Sequence, residues 1–385
     1  MKKVISIFLS LATATLYAGG YETPTNPGLK KKVKLSTGIT MAYTERGNVG
    51  GRPVVFLHGF TDTRRSFERV VDEMFRKYHH LRFIVPDLRG HGETSMPSRR
   101  QCGGKPENCF TPGAMAEDVI ALLDELDIDA AYVVGHSMGS IVAQELALNY
   151  PERVYSMVLI GTYANGKEIS AIGDYLPELI NNWKPILETE PDFTWPSDAY
   201  TILPEDLGVE ETQKLRKEWV NEAGVSDAFL DSMCKKTMKT PLGTWVGVTA
   251  ALRNVDNRRA LETVKVPTMV LWATQDLLFG KEQQDLVLES LQTASRVNNT
   301  PVVFKTYGRT YRTWGEPQTD LGHNFHWAVP EQVADDILSF IQTGFPRNTQ
   351  VWLNPHNPYE VIEAPGAAAI SAWGVNRIQA NRESR

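Results

Sequence analysis

The sequence predicts an α/β protein in which a largely parallel sheet is flanked by helices and interrupted by one helical insert. Short, unbroken apolar runs recur along the chain, and segments with helical periodicity separate most of them. Such runs are typical of strands buried on both faces, and their alternation with helices is typical of a parallel sheet. The runs lie at 53–57, 83–85, 131–134, 157–160, 268–272 and 302–307.

A hairpin precedes these runs. Residues 33–46 contain apolar and β-prone side chains on both sides of Thr37-Gly38, a pair that favours a turn. The two hairpin strands and the six apolar runs together predict an eight-stranded sheet.

About a hundred residues between Ile160 and Thr268 lack strand-like runs. Several prolines break this interval into helical pieces, and it holds four of the nine tryptophans, at 183, 195, 219 and 245. Open α/β sheets bind ligands beyond the carboxyl ends of their strands, so we expect a helical cap over that edge. The predicted divisions are a core at 21–162 and 263–342, a cap at 163–262 and a C-terminal extension at 343–385.

The N-terminus has the pattern of a secretory signal peptide over residues 1–20. Lys2 and Lys3 precede an apolar run from Val4 to Leu11, and small residues follow. The alternative is a buried N-terminal helix. No later stretch reaches the roughly 18 apolar residues that a membrane span requires. We therefore expect a secreted or periplasmic protein.

The charge balance argues against a nucleic-acid partner. The chain has 40 Lys and Arg against 46 Asp and Glu, a net charge of −6, whereas nucleic-acid binders carry a basic patch or stripe. The sequence contains no signal for an oligomeric state.

Cysteine spacing predicts one disulfide. Cys102 and Cys109 lie seven residues apart in a loop rich in turn-forming residues, and an oxidising compartment would let them pair. The alternative is two unrelated thiols. Cys234 is expected to be a small buried side chain.

The pentapeptide from Gly135 to Gly139 is the strongest chemical signal. It has the pattern Gly-x-Ser-x-Gly and lies between the apolar run at 131–134 and a helical stretch. In that context the glycines allow a sharp turn that exposes the hydroxyl of Ser137 as a nucleophile. The alternative is a tight structural turn.

Asp276 and His323 are the predicted partners of Ser137. A serine hydroxyl needs a base, most often a histidine that a carboxylate orients. Both residues follow predicted strands at the same edge of the sheet as Ser137, and the chain order Ser, Asp, His is the order expected for this architecture. Taken singly, Asp276 is also explained as a surface turn residue and His323 as an incidental loop histidine.

A predicted oxyanion hole completes the set. His58-Gly59-Phe60 follows the run at 53–57, so the amide of Phe60 is expected to point into the site. The amide of Met138, at the start of a helix, is the expected second donor. His58 itself is expected to be structural.

These motifs resemble the α/β-hydrolase superfamily, specifically its serine hydrolases with a cap domain, over about Val33 to Gln342. The resemblance implies a Ser-His-Asp triad, an acyl-enzyme intermediate and no cofactor. The matching segments are His58 to Asp62, Asp87 to Gly92, Gly135 to Gly139, Asp276, and Gly322 to Trp327.

The chain departs from the family pattern before its histidine motif. The stretch between the last predicted strand and Gly322 is longer than usual, which leaves His326 as a rival to His323. His323 is preferred because it directly follows the glycine of the motif. A metal site built on the two histidines lacks further ligands.

Within the resemblance, a serine nucleophile favours acyl chemistry on a neutral ester or lactone. The alternatives with the same triad are a carbon–carbon bond hydrolase, an amidase or a perhydrolase, and a non-catalytic binding protein is the alternative of another class. Trp183, Trp245 and Trp314 are predicted to line the substrate pocket, although aromatic residues in helical caps also serve packing.

Overall fold

The computed structural model describes residues 28–189, 192–308 and 321–347. The predicted signal peptide, the extension beyond residue 347 and Trp314 lie outside these residues. Among the residues that it describes, no helix is long and apolar enough to cross a membrane.

Eight strands form a single sheet in the order β1-β2-β4-β3-β5-β6-β7-β8, which confirms the predicted fold class. β2 is antiparallel to β1 and β4, and all other neighbours are parallel. The strands are β1 (Leu29–Lys34), β2 (Thr40–Gly47), β3 (Pro53–Leu57), β4 (Arg82–Pro86), β5 (Ala131–His136), β6 (Val154–Ile160), β7 (Thr268–Ala273) and β8 (Val302–Tyr307).

The helices cover both faces of this sheet. They are α1 (Glu68–Lys77), α2 (Pro112–Glu125), α3 (Met138–Asn149), α4 (Leu176–Leu187), α5 (Val209–Glu218), α6 (Asp227–Thr237), α7 (Leu242–Arg253), α8 (Arg258–Leu261), α9 (Lys281–Asn298), α10 (Phe325–Ala328) and α11 (Pro330–Thr343).

Alternate side chains of β3 show why the apolar runs are continuous. Val54 and Phe56 pack in one core cluster with residues of α1 and α11. Val55 and Leu57 point the other way, into a second cluster with residues of α2, α3 and α9. Because both faces of the strand are buried, every position favours an apolar side chain.

The interval between β6 and β7 contains α4 to α8 and, in its described residues, no strand. It corresponds to the predicted cap, whose status as a separate domain stays a prediction. Its Thr237 and Thr240 hydroxyls both donate to the carbonyl oxygen of Thr61, and the Thr244 hydroxyl donates to that of Gly90. The insert therefore lies against the loops that follow β3 and β4, at the carboxyl edge of the sheet.

Cys102 and Cys109 form a disulfide, as the spacing predicts, with their Cα atoms 5.1 Å apart. The Cys102 sulfur lies 3.6 Å from the hydroxyl of Tyr200, a buried residue of the insert. Cys234 is a free, buried thiol. The disulfide thus closes a short loop that packs against the insert.

Candidate active site

Ser137 occupies a strained turn between β5 and α3. Its backbone has φ 52° and ψ −122°, a conformation that few non-glycine residues adopt. The flanking glycines are required by close packing, since a Cβ on Gly135 would lie 2.2 Å from the carbonyl oxygen of Gly139, and a Cβ on Gly139 would lie 2.1 Å from that of Leu57. Backbone strain of this kind persists only where its surroundings enforce it, and it concentrates at functional sites.

The side chains of His323 and Asp276, two of the predicted site residues, lie in contact. The Nδ1 atom of His323 lies 2.8 Å from Oδ2 of Asp276, and both side chains are buried. The other carboxylate oxygen, Oδ1, accepts hydrogen bonds from the amides of Leu278 and Phe279. The carboxylate is therefore fixed on one side by its own loop and orients the imidazole with the other.

Ser137 and His323 line the same cavity, which has a volume of about 50 Å³. Nε2 of His323 has no hydrogen-bond partner among the described residues, Ser137 included. In enzymes without substrate such hydrogen bonds are often long and tighten only on binding. The structure thus brings the three predicted residues to one site, but Ser137 and His323 do not form a hydrogen bond with each other.

Phe60 belongs to the turn from His58 to Asp62, which packs directly on Ser137. A Cβ on Gly59 would lie 2.9 Å from Nδ1 of His136 and 3.2 Å from Cβ of Ser137. His58 holds this turn, because its Nδ1 donates to the carbonyl oxygen of Gly59 and its Nε2 accepts from the amide of Leu88. Burial lowers the pKa of His58 to about 4, which keeps the ring neutral in this role.

The two predicted oxyanion donors belong to the turn after β3 and to the start of α3. Phe60 lines the cavity, and Met138 is the first residue of α3. The first amides of a helix have no acceptor within the helix, and the helix dipole adds partial positive charge there. In the part of the chain that the structure describes, neither amide donates to another protein group.

A protein-family model described as the alpha/beta hydrolase fold matches residues 52–309, more than half of the chain. The protein belongs to the α/β-hydrolase family. This membership agrees with the sheet order and with the turn at Ser137.

Similar proteins include two bacterial lipases. Lipase 3 of a Moraxella species is 25% identical over 69% of this chain and 75% of its own, and lipase 1 of Psychrobacter immobilis is 26% identical over 69% and 74%. Among solved structures, a hydrolase from Pseudomonas aeruginosa superimposes with a TM-score of 0.61 at 22% identity, covering 82% of this chain and 99% of that one. At that identity the structural likeness concerns the fold.

His326, the rival histidine of this α/β hydrolase, lies behind the site. Its ring is fully buried and does not line the cavity with Ser137, and its centre lies 4.2 Å from that of the His136 ring, at a tilt of 47°. Its Nε2 lies 3.1 Å from the hydroxyl of Ser66. Burial lowers its pKa well below the usual value, so the ring is a neutral packing element in contact with the site.

The predicted pocket tryptophans are placed differently from one another. Trp183 and Trp245 are fully buried, pack edge to face with each other, and are not among the residues that line the cavity of Ser137. Trp219 does line it, and its Nε1 donates to the Thr61 hydroxyl across 2.9 Å. Trp314 lies outside the described residues.

Two buried carboxyl groups near the site are not among the site residues that the sequence predicts. Asp62 lines the cavity, accepts a hydrogen bond from the Ser66 hydroxyl, and has its pKa raised by burial to about 7. Glu222, in the insert, is also buried, and its pKa is likewise raised to about 7. Asp62 closely follows His58-Gly59, so its place in that motif could have marked it as a site residue. Glu222 belongs to no motif and lies about a hundred positions before His323, so no sequence signal marks it.

Proposed function

We propose that this protein hydrolyses a neutral carboxylic ester or lactone through an acyl-enzyme intermediate, with Ser137 as the nucleophile, His323 as the base and Asp276 as its orienting acid. The observation that carries the proposal is the convergence of Ser137 and the His323–Asp276 pair on one cavity. The lipase names of the two relatives also favour ester chemistry.

The first half of the reaction follows from the hydrogen bonds of His323. Because Nδ1 is held by Asp276, Nε2 is the atom free to take the proton of the Ser137 hydroxyl as it attacks the carbonyl carbon. The imidazolium that forms is stabilised by the buried carboxylate. The same proton is then passed to the leaving alkoxide, and the acyl group remains on Ser137.

Charge on the carbonyl oxygen would be stabilised by the amides of Phe60 and Met138. Loss of one such donor typically costs about a hundredfold or more in turnover. In the second half, His323 activates a water molecule that attacks the acyl group, and Ser137 recovers its proton.

The cavity walls support an uncharged, largely apolar substrate. They include Ile172, Leu176, Val220, Leu252 and Phe279. Asp62 lines the cavity with a pKa raised by burial to about 7, and its ionised form would repel an anionic substrate. The disulfide agrees with an oxidising compartment, so export remains part of the proposal.

The decisive test uses the Ser137→Ala variant and an organophosphonate probe. The wild-type protein should form a single covalent adduct on Ser137, and the variant should lose both the adduct and the hydrolysis of p-nitrophenyl esters while keeping its circular dichroism spectrum. Near wild-type hydrolysis by the variant would contradict the proposal. A parallel panel of lactones distinguishes a lactonase from an esterase.

A further inference from the structure

Glu222 joins the insert to the loop that carries His323. Glu222 is 7% exposed and belongs to the chain segment that joins α5 to α6. Oε1 accepts a hydrogen bond from the amide of Gly322 at 2.7 Å, and Oε2 accepts one from the amide of Asn324 at 2.8 Å. The two bonds fall on the residues immediately before and after His323.

The geometry of this contact suits a carboxylate and no other side chain. The two amides converge on one side chain and need two acceptor oxygens there, which an ionised Glu supplies and a Gln does not. Hydrogen bonds to a charged acceptor are also roughly twice as strong as neutral ones. Gly322 allows the approach, because a Cβ there would lie 3.1 Å from Oε2 of Glu222.

Neighbouring residues of the insert support the same contact. The Asn324 side-chain amide donates to the carbonyl oxygen of Asn221 at 3.1 Å. On the other side of the cavity, Trp219 donates to the Thr61 hydroxyl. The segment from Trp219 to Glu222 therefore contacts both the turn that carries Phe60 and the loop that carries His323.

We propose that Glu222 is a positioning residue, whose carboxylate fixes the backbone on both sides of His323 and thereby aims Nε2 at Ser137. This inference rests on the proposed function, since it assumes that His323 is the base. Glu222 does not line the cavity of Ser137, so it acts on the reaction through the loop and not by touching the substrate. A misplacement of about 1 Å in a catalytic group can cost about a hundredfold in rate.

The experiment compares Glu222→Gln with wild type for p-nitrophenyl ester hydrolysis. Active sites are counted by phosphonate titration carried to completion, so that loss of folded protein does not count as loss of rate. We expect kcat per active site to fall about tenfold or more, the phosphonate reaction rate to fall in parallel, and KM to stay within about twofold. Glu222→Asp keeps the charge but reaches only one of the amides, and an intermediate kcat is expected.

Glu210→Gln is the matched control, because Glu210 is an exposed glutamate of α5 in the same insert. It should leave all three quantities unchanged. A kcat per active site within about threefold of wild type for Glu222→Gln would overturn the inference, even if the melting temperature fell or KM rose. If Glu222→Gln does not fold, Glu222→Asp takes its place, and a kcat per active site equal to that of wild type would then overturn the inference.

His323→Ala separates the two proposals. If it is inactive while Glu222→Gln keeps its kcat, only the positioning role fails. If His323→Ala keeps its activity, the proposed function fails, and the role of Glu222 fails with it.

Discussion

The Nε2 atom of His136 lies 3.1 Å from the carbonyl oxygen of His323. A carbonyl only accepts, so Nε2 carries the proton and Nδ1 does not. Burial lowers the pKa of His136 well below its usual value, which keeps the ring neutral and this tautomer available. The residue before the proposed nucleophile therefore anchors the backbone of the proposed base.

The variant His136→Phe is expected to lower both activity and stability. It keeps an aromatic ring but leaves the buried His323 carbonyl without its donor, at a cost of about 1–3 kcal/mol in the free energy of unfolding. The loop can then shift, and kcat per active site should fall about tenfold. His136→Gln retains an N–H donor and should keep more of both. Urea unfolding and steady-state kinetics check this, and equal kcat values for the two variants would contradict it.

A methyl group at Gly161 is expected to displace His323 directly. Gly161 follows β6 with φ +52°, and a Cβ there would lie 3.1 Å from both Cε1 and Nδ1 of His323 and 3.4 Å from Oδ2 of Asp276. Gly161→Ala should therefore reduce kcat per active site by about tenfold or more. Separately, the alanine should lower the free energy of unfolding by about 1–2 kcal/mol, because a side chain is strained in this backbone region.

Gly103→Ala supplies the control for that prediction. Gly103 has a similar φ of +60°, but a Cβ there meets nothing within 4 Å. It should show a comparable loss of stability in thermal unfolding and unchanged kinetics. If Gly161→Ala behaved in the same way, the contact with His323 would be irrelevant to the reaction.

The features predicted well from sequence are those that depend on neighbours along the chain. The run from Pro53 to Leu57 is β3 itself, because burial on both faces leaves a continuous apolar signature that needs no knowledge of the partner strands. The turn at Ser137 is similarly local, since strand, glycines and helix occur within one short stretch. Asp276 and His323 are candidates on similar grounds, because each follows a predicted strand at the same edge of the sheet as Ser137.

The features missed depend on how the insert packs. Trp183 and Trp245 are predicted as pocket residues, but their rings pack edge to face on each other, and Trp245 packs on Phe60 behind the cavity wall. Glu222 lies in no sequence motif, yet it is buried against Gly322 and Asn324. Helical periodicity indicates which face of a helix is apolar, but it does not indicate which loop packs against that face.

Asp62 is expected to make the folded protein less stable as pH rises. Its pKa is about 7 in the folded protein, raised by burial from a usual value of 3.8, so the folded state holds a proton that the unfolded state has lost. Stability from this group therefore falls as pH rises from about 4 through 7. Asp62→Asn has no charge to bury, so its free energy of unfolding relative to wild type should rise by about 2–3 kcal/mol between pH 5 and pH 8.

Urea unfolding of both proteins at the two pH values measures this difference, and the other titrating groups cancel because they are common to both. The exposed Asp129 provides the control, since Asp129→Asn should show no such pH-dependent difference. A stability difference for Asp62→Asn that is the same at pH 5 and pH 8 would show that the buried carboxyl does not titrate in this range.

Leu176→Ala is expected to change which acyl chains the enzyme prefers. Leu176 begins α4, is 2% exposed, and lines the cavity that contains Ser137 and His323. Truncating it removes a wall of that cavity, and each methylene that an apolar pocket accepts or rejects is worth about 1–3 kcal/mol in discrimination. The ratio of kcat/KM for longer over shorter p-nitrophenyl esters should therefore rise about tenfold.

Leu179→Ala is the matched control, because Leu179 is equally buried on the same helix but does not line the cavity. Both variants should lose about 2–5 kcal/mol of stability, as buried leucines do on truncation, but only Leu176→Ala should shift the chain-length profile. Equal profiles for the two variants would mean that the acyl chain does not lie against α4.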